Sequence, residues 1–194
     1  MLERGITAEI LGGHMAKNDN AHAVRLSESI VKYVGQSAAD EVAEKFPLSK
    51  SADIEKKHVW AENICRYLEE NLEEEKVLQI RKECKCGDGR STADKLIKYL
   101  NQAGNIEGMV ALFNQRETFA SLEYISDNKV LFCYPRCYCG CVKRVPRELS
   151  KTWCYCTLGY TESMFKQVFQ KDVKATLVKS IKTGADSCVI EMQW

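Results

Sequence analysis

The chain has 194 residues, with 28 basic against 27 acidic side chains, a formal net charge of +1 and a hydrophobic fraction of 45%. That balance excludes bulk electrostatic attraction to nucleic acid or to an anionic membrane, and the apolar content suffices for a core without covalent staples. No stretch approaches the ~18 apolar residues of a membrane span, and the leading MLERGITAEILGG, interrupted by Glu3, Arg4 and Glu9, has no secretory apolar region. The expectation is a cytoplasmic chain folded as one α+β domain over 1–194, mainly helical over 1–117 and cysteine-rich over 118–194.

From Ala21 to Phe46 apolar residues recur at three- and four-residue steps, a helical run that Pro47 stops. A second helix is expected to start at Ser51 as its cap, with Asp53 and Glu55 in the first turn. Ile54, His58, Ala61, Cys65, Leu68 and Leu72 share one face of it, so Cys65 and His58 read as core residues. The run continues through Val77 and Ile80 to about Cys84. Glu69, Glu70, Glu73, Glu74 and Glu75 form a solvated face, because a di-metal carboxylate site would need Glu-x-x-His pairs and no histidine follows at that spacing. Shorter helical patterns cover Thr92–Leu100 and Ile106–Phe113. After Thr118 the period becomes two: Ala120, Leu122 and Tyr124 alternate with polar residues, Ser126-Asp127-Asn128 turns the chain, and Val130–Tyr134 returns as a strand. Glu162–Gln170 reads as a short amphipathic helix. Val173–Ile181 and Cys188–Met192 then form a second hairpin across Thr183-Gly184-Ala185-Asp186, so a helical half packs on an antiparallel sheet.

Eight cysteines stand in tight groups: Cys84 and Cys86; Cys133, Cys137, Cys139 and Cys141; Cys154 and Cys156. In a reducing compartment such thiols bind metal or do redox chemistry more often than they form structural disulfides. The recurring C-x-C differs from the C-x-x-C of zinc ribbons, but Cys137-Tyr138-Cys139 and Trp153-Cys154-Tyr155-Cys156 are spaced like two knuckles of one zinc site. All eight are therefore candidate metal ligands. The two C-x-C pairs are expected to converge, with Cys84 or Cys86 reaching the same cluster and Cys133 and Cys141 open as members of a second site. Zinc is the expected metal; an iron–sulfur cluster, which uses the same ligands without the usual ferredoxin spacing, is the alternative. Arg136, Lys143, Arg144, Arg147 and Lys151 crowd this segment, either to compensate thiolates or as a solvated basic loop.

The stretch from Trp153-Cys-Tyr-Cys-Thr-Leu-Gly-Tyr160 through Val173-Lys-Ala-Thr-Leu-Val-Lys-Ser-Ile-Lys-Thr-Gly-Ala-Asp-Ser-Cys188-Val-Ile-Glu191 resembles the 4-vinyl reductase-like domain. The same ending occurs in L-2-amino-thiazoline-4-carboxylate hydrolase-like proteins. The middle, Arg136-Cys-Tyr-Cys-Gly140 followed by Trp153-Cys-Tyr-Cys156, looks like a cysteine-rich bacterial group of unknown function. The resemblance covers about the last 65 residues well and implies an α+β domain related to small-ligand-binding modules, some of them metal-binding. On that pattern Cys188 matches a cysteine of the terminal hairpin, a core or pocket-lining thiol.

The leading reading is a zinc-binding, cysteine-ligated small-molecule-binding or sensor protein, with a small-molecule ligand, no nucleic acid or membrane partner, and a homodimer left open. The alternatives are a hydrolase acting on a C–N bond of a small cyclic substrate, or an iron–sulfur or thiol redox protein. Whether the chain is an enzyme stays open. His14, His22 and His58 all lie in the helical half, no Cys–His or Ser–His–Asp arrangement can be read, and Glu83 and Asp88 are the nearest base candidates to a cysteine pair.

Overall fold

The computed structural model describes residues 18–194, so the readings at Glu3, Arg4, Glu9 and His14 lie outside the described residues. The first helix, α1 (Ala21–Tyr33), starts where the Asn20 side chain accepts the His22 N–H. The single run expected over 21–46 is two helices. Gly35 takes φ +127°, open to glycine and costly for other residues, and α2 (Gln36–Lys45) follows it. Next, α3 (Ile54–Asn71) is capped by Asp53, which accepts the Lys56 N–H. Ser51, the expected cap, instead bonds Ser49 in the preceding turn. The helix does not run on to Cys84: Leu72 is extended, and α4 (Glu74–Glu83) begins afresh with Cys84 as its C-cap.

Two helices follow as the periodicity indicates, α5 (Arg90–Ala103) and α6 (Ile106–Arg116), the second capped by Asn105. Strands β1 (Ser121–Ser126), β2 (Lys129–Tyr134), β3 (Lys174–Lys179) and β4 (Cys188–Gln193) make one antiparallel sheet in the order β1-β2-β4-β3. Between the hairpins, α7 (Lys151–Phe169) is capped by Ser150 and is far longer than the expected Glu162–Gln170 helix. Its first half buries Thr152, Trp153, Tyr155, Leu158, Gly159 and Thr161 on several sides. A helix buried all round has no amphipathic stripe to read.

This long helix is central. Its N-terminal part joins the core of α1 to α4 through Trp153, whose ring meets Trp60 edge-on at 5.8 Å. Its C-terminal part packs Leu158, Met164, Phe165 and Val168 on the inner face of the sheet and on α5 and α6. There Phe132 of β2 lies between Phe113 and Phe165, at 6.1 and 5.9 Å. At Gly159, α7 approaches the Lys82 carbonyl of α4 so closely that no Cβ would fit. No helix of the described residues is long and apolar enough to cross a membrane.

Candidate thiol-lined ligand site

The start of α7, the loop after β2 and the β3–β4 connection enclose a cavity of about 340 Å³. Six cysteines border it: Cys137, Cys139, Cys154, Cys156, Cys86 and Cys188. Phe119, Tyr134, Tyr138, Trp153 and Tyr160 supply aromatic wall. Among the described residues the only formally charged members of the wall are the cations Arg136 and Lys182, with no carboxylate and no histidine.

Each sulfur is held by its own local contact. Cys154 Sγ lies 3.0 Å from Ser180 Oγ, and that hydroxyl also accepts the Lys182 N–H at the 3₁₀ turn Ile181–Thr183. Cys188 Sγ accepts the Ile181 N–H at 3.4 Å, Cys156 Sγ donates to the Trp153 carbonyl at 3.6 Å, and Cys86 Sγ accepts from Arg25 at 3.5 Å. Burial pushes Cys154 up to about 12 and raises Cys137 and Cys156 as well. These three are neutral thiols near pH 7, poor nucleophiles and poor metal ligands as they stand.

Two buried cations flank the sulfurs. Arg81 of α4 donates to the Thr152 and Trp153 carbonyls at 3.3 and 2.9 Å and lies 4.3 Å from the Trp153 ring centre. Burial opposes its charge, but a guanidinium is too strong a base to lose its proton in a protein, so Arg81 stays charged. Lys182, 4% exposed, donates to the Val145 and Arg147 carbonyls at 2.5 and 3.0 Å. Neither cation was evident as a site residue in the sequence. Arg81 had a signal, since Val77, Ile80, Arg81 and Cys84 fall at the i, i+3, i+4, i+7 steps of a buried stripe. Lys182 had none, because a lysine in a hairpin turn reads as solvated.

Of the eight candidate ligands, Cys137, Cys139, Cys154, Cys156 and Cys86 border the cavity, and Cys84, Cys133 and Cys141 do not. Cys84 is buried at the end of α4 and donates to the Ile80 carbonyl. Cys133 is on the outer face of the sheet, since its neighbour Phe132 faces in. Cys141 is buried against the Lys57 carbonyl, where burial pushes it to about 12.

The zinc reading is corrected by this geometry. Among the described residues no group of three or more His, Cys, Asp or Glu side chains is placed to hold a metal ion. The reason lies in α7: residues two apart on a helix point about 200° apart, so Cys154 and Cys156 cannot act as a knuckle. An iron–sulfur cluster needs the same grouping of sulfurs and is corrected with it. Nor do the basic residues compensate thiolates as a set: Arg147 pairs with Glu55, Lys151 with Glu74, and Arg136 donates to the Tyr138 hydroxyl. The hydrolase alternative lacks its base. Glu83 is engaged by Lys32 and Tyr33, Asp88 accepts the Arg90 N–H, and neither borders the cavity.

Residues 19–193 match the model of DUF6144, a family of unknown function. The chain belongs to that family. No curated protein sequence matches it. Among solved structures, the H-NOX domain of Shewanella oneidensis in the Fe(II)CO ligation state is 13% identical, at a TM-score of 0.43, covering 90% of this chain and 97% of that one. An H-NOX protein of the same organism in the Fe(II)NO ligation state gives 14%, 0.43, 90% and 98%. The H-NOX of Shewanella woodyi in the Fe(II)CO ligation state gives 13%, 0.43, 89% and 92%. Likeness at this level carries nothing about the site.

The 4-vinyl reductase-like and hydrolase-like resemblance is corrected as well. The family model, over residues 19–193, takes in the whole stretch that carried it. Another similar structure concerns heme in the H-NOX family. Haem iron takes an axial imidazole, thiolate, thioether or phenolate. Among the described residues no histidine or methionine borders the cavity, which leaves its cysteines and tyrosines as the side chains that could take that place.

Proposed function

We propose that this chain is a small-molecule-binding protein whose site is the thiol-lined cavity, and that its ligand has a flat apolar body. The observation behind this is the wall itself: six cysteines and five aromatic residues surround a space of about 340 Å³. Thiols and aromatic rings make the wall predominantly apolar, as small-molecule sites are, and its volume lies within the usual ~300–1,000 Å³. Binding is favoured over catalysis because no carboxylate or histidine among the described residues lines the wall and three of its thiols are held protonated.

The test is fluorescence titration with the neutral probe N-phenyl-1-naphthylamine. Wild-type protein should give saturable enhancement, and Gly140→Trp should weaken it at least tenfold. Gly140 borders the cavity and has nothing within 4 Å of a built Cβ, so the variant should fold while obstructing the mouth. No saturable binding, or equal binding by Gly140→Trp, refutes the reading.

A further inference from the structure

Lys182 is a buried charge without a buried counter-charge. Lysine is almost never fully buried unless paired, and an ammonium has three N–H donors. Two go to the carbonyls of Val145 and Arg147. Among the described residues no carboxylate ion-pairs with Lys182, and the residue borders the thiol-lined cavity, close enough for its charge to act on Cys137 of the wall. Arg81 differs. Its guanidinium is spent on two carbonyls and the Trp153 ring, and it does not border the cavity.

The remaining wall does not offer Lys182 a counter-charge. Its other charged member is Arg136, exposed at the rim, and the nearby Ser180 hydroxyl is already engaged with Cys154 and the Lys182 backbone N–H. The field inside the cavity is therefore positive at one end and apolar over most of its surface. An ion pair there is screened by salt far less than a surface pair.

We infer that the cavity selects an anionic aromatic or similarly flat ligand, its carboxylate or sulfonate received by the free N–H of Lys182 and its apolar body lying against the thiols and rings. This rests on the proposed function and adds the ligand's charge to it. Balance of charge carries the argument: an anion at Lys182 completes its hydrogen bonding and neutralises a cation already desolvated by folding, so the protein side of the desolvation cost is met before binding.

The experiment compares two probes of nearly the same body, 1-anilinonaphthalene-8-sulfonate and neutral N-phenyl-1-naphthylamine, on the full chain. Wild type should bind the sulfonate at least tenfold more tightly, and 0.5 M NaCl should leave most of that preference. Lys182→Met should bring the ratio of affinities to about one with the neutral probe's affinity kept, while Arg136→Gln should change it much less. A wild-type ratio near one, a ratio that collapses in salt, or a folded Lys182→Met that keeps it overturns the inference with the cavity reading intact. Failure of both probes to bind overturns the cavity reading itself. If Lys182→Met does not fold, the wild-type ratio and its salt dependence still decide.

Discussion

Replacing Gly159 by Ala tests whether the contact between α4 and α7 sets the geometry of the site. On helix propensity alone the change should stabilise the protein by about 1 kcal/mol, because glycine is that much worse than alanine inside a helix. Packing opposes it. A Cβ on Gly159 would lie on the Lys82 carbonyl oxygen, 2.7 Å from its carbon and 3.1 Å from the Lys82 Cα. These are backbone atoms that no rotamer change can move, so the helices must part. Overpacking of this kind costs about 1–3 kcal/mol. The movement also strains the Lys82–Glu162 ion pair one turn away, in which Glu162 accepts from Lys82 at 2.5 Å and from the Ala175 N–H at 2.9 Å. We expect a net loss of about 1 kcal/mol, a fall in Tm of roughly 2–4 °C at ~2–4 °C per kcal/mol for a chain of this size. Neutral-probe affinity should fall too, since α7 carries Cys154, Cys156 and Tyr160 of the wall. A Tm equal to or above wild type in a thermal melt would show that propensity wins and that the contact is slack.

Iodoacetamide labelling of native protein at pH 8, mapped by mass spectrometry, should modify exposed Cys86 first and leave Cys154 and Cys141 unlabelled; both are pushed to about 12, so about one molecule in 10⁴ is thiolate there, and rapid labelling of Cys154 would refute the assignment. Burial, and then Arg25 and Arg81, lower His22 from 6.5 to about 4, so the unfolded chain takes up the proton first as pH falls. Its contribution, up to about 3 kcal/mol, should be present above pH 6.5 and be lost between there and pH 4; denaturant titrations of His22→Gln should show a shallower acid slope across that window. Glu162→Ala should cost about 1–3 kcal/mol, because it strands the Lys82 ammonium and the Ala175 N–H. Glu162→Gln should cost less, since its amide oxygen still accepts from Ala175, and equal losses in the two variants would argue against that bond.

The elements legible in the sequence are those whose burial is one-sided. Leu122 alternates with exposed residues on β1, Val130 and Phe132 alternate with half-buried ones on β2, and Ser126-Asp127-Asn128 turns between them, so the hairpin is written in period two. Likewise α5 buries one stripe of Ala93, Leu96 and Tyr99. The break between α1 and α2 was hidden because apolar steps continue across Gly35, and a glycine within a helical pattern does not announce the positive φ it takes here. The start of α7 was hidden for the opposite reason. Trp153 faces one core and Leu158 the other, so burial on several sides erased the period on which the reading depends.

Cysteine spacing was legible as composition and misleading as geometry. Cys137-Tyr138-Cys139 and Cys154-Tyr155-Cys156 are spelled alike, yet the first lies in an irregular loop and the second in a helix. On α7 the two sulfurs diverge by about 200°: Cys154 meets Ser180 near the sheet, and Cys156 turns to the Trp153 carbonyl on the side of Arg81. The same residues that would close a metal site from two loops instead stand around a space when one pair is helical. Once the sulfurs are apart and neutral, they no longer balance Lys182, and the charge accounting moves from the protein to whatever enters the cavity. Helicity at α7 is thus the physical link between the loss of the metal reading and the gain of a cation-ended, apolar site.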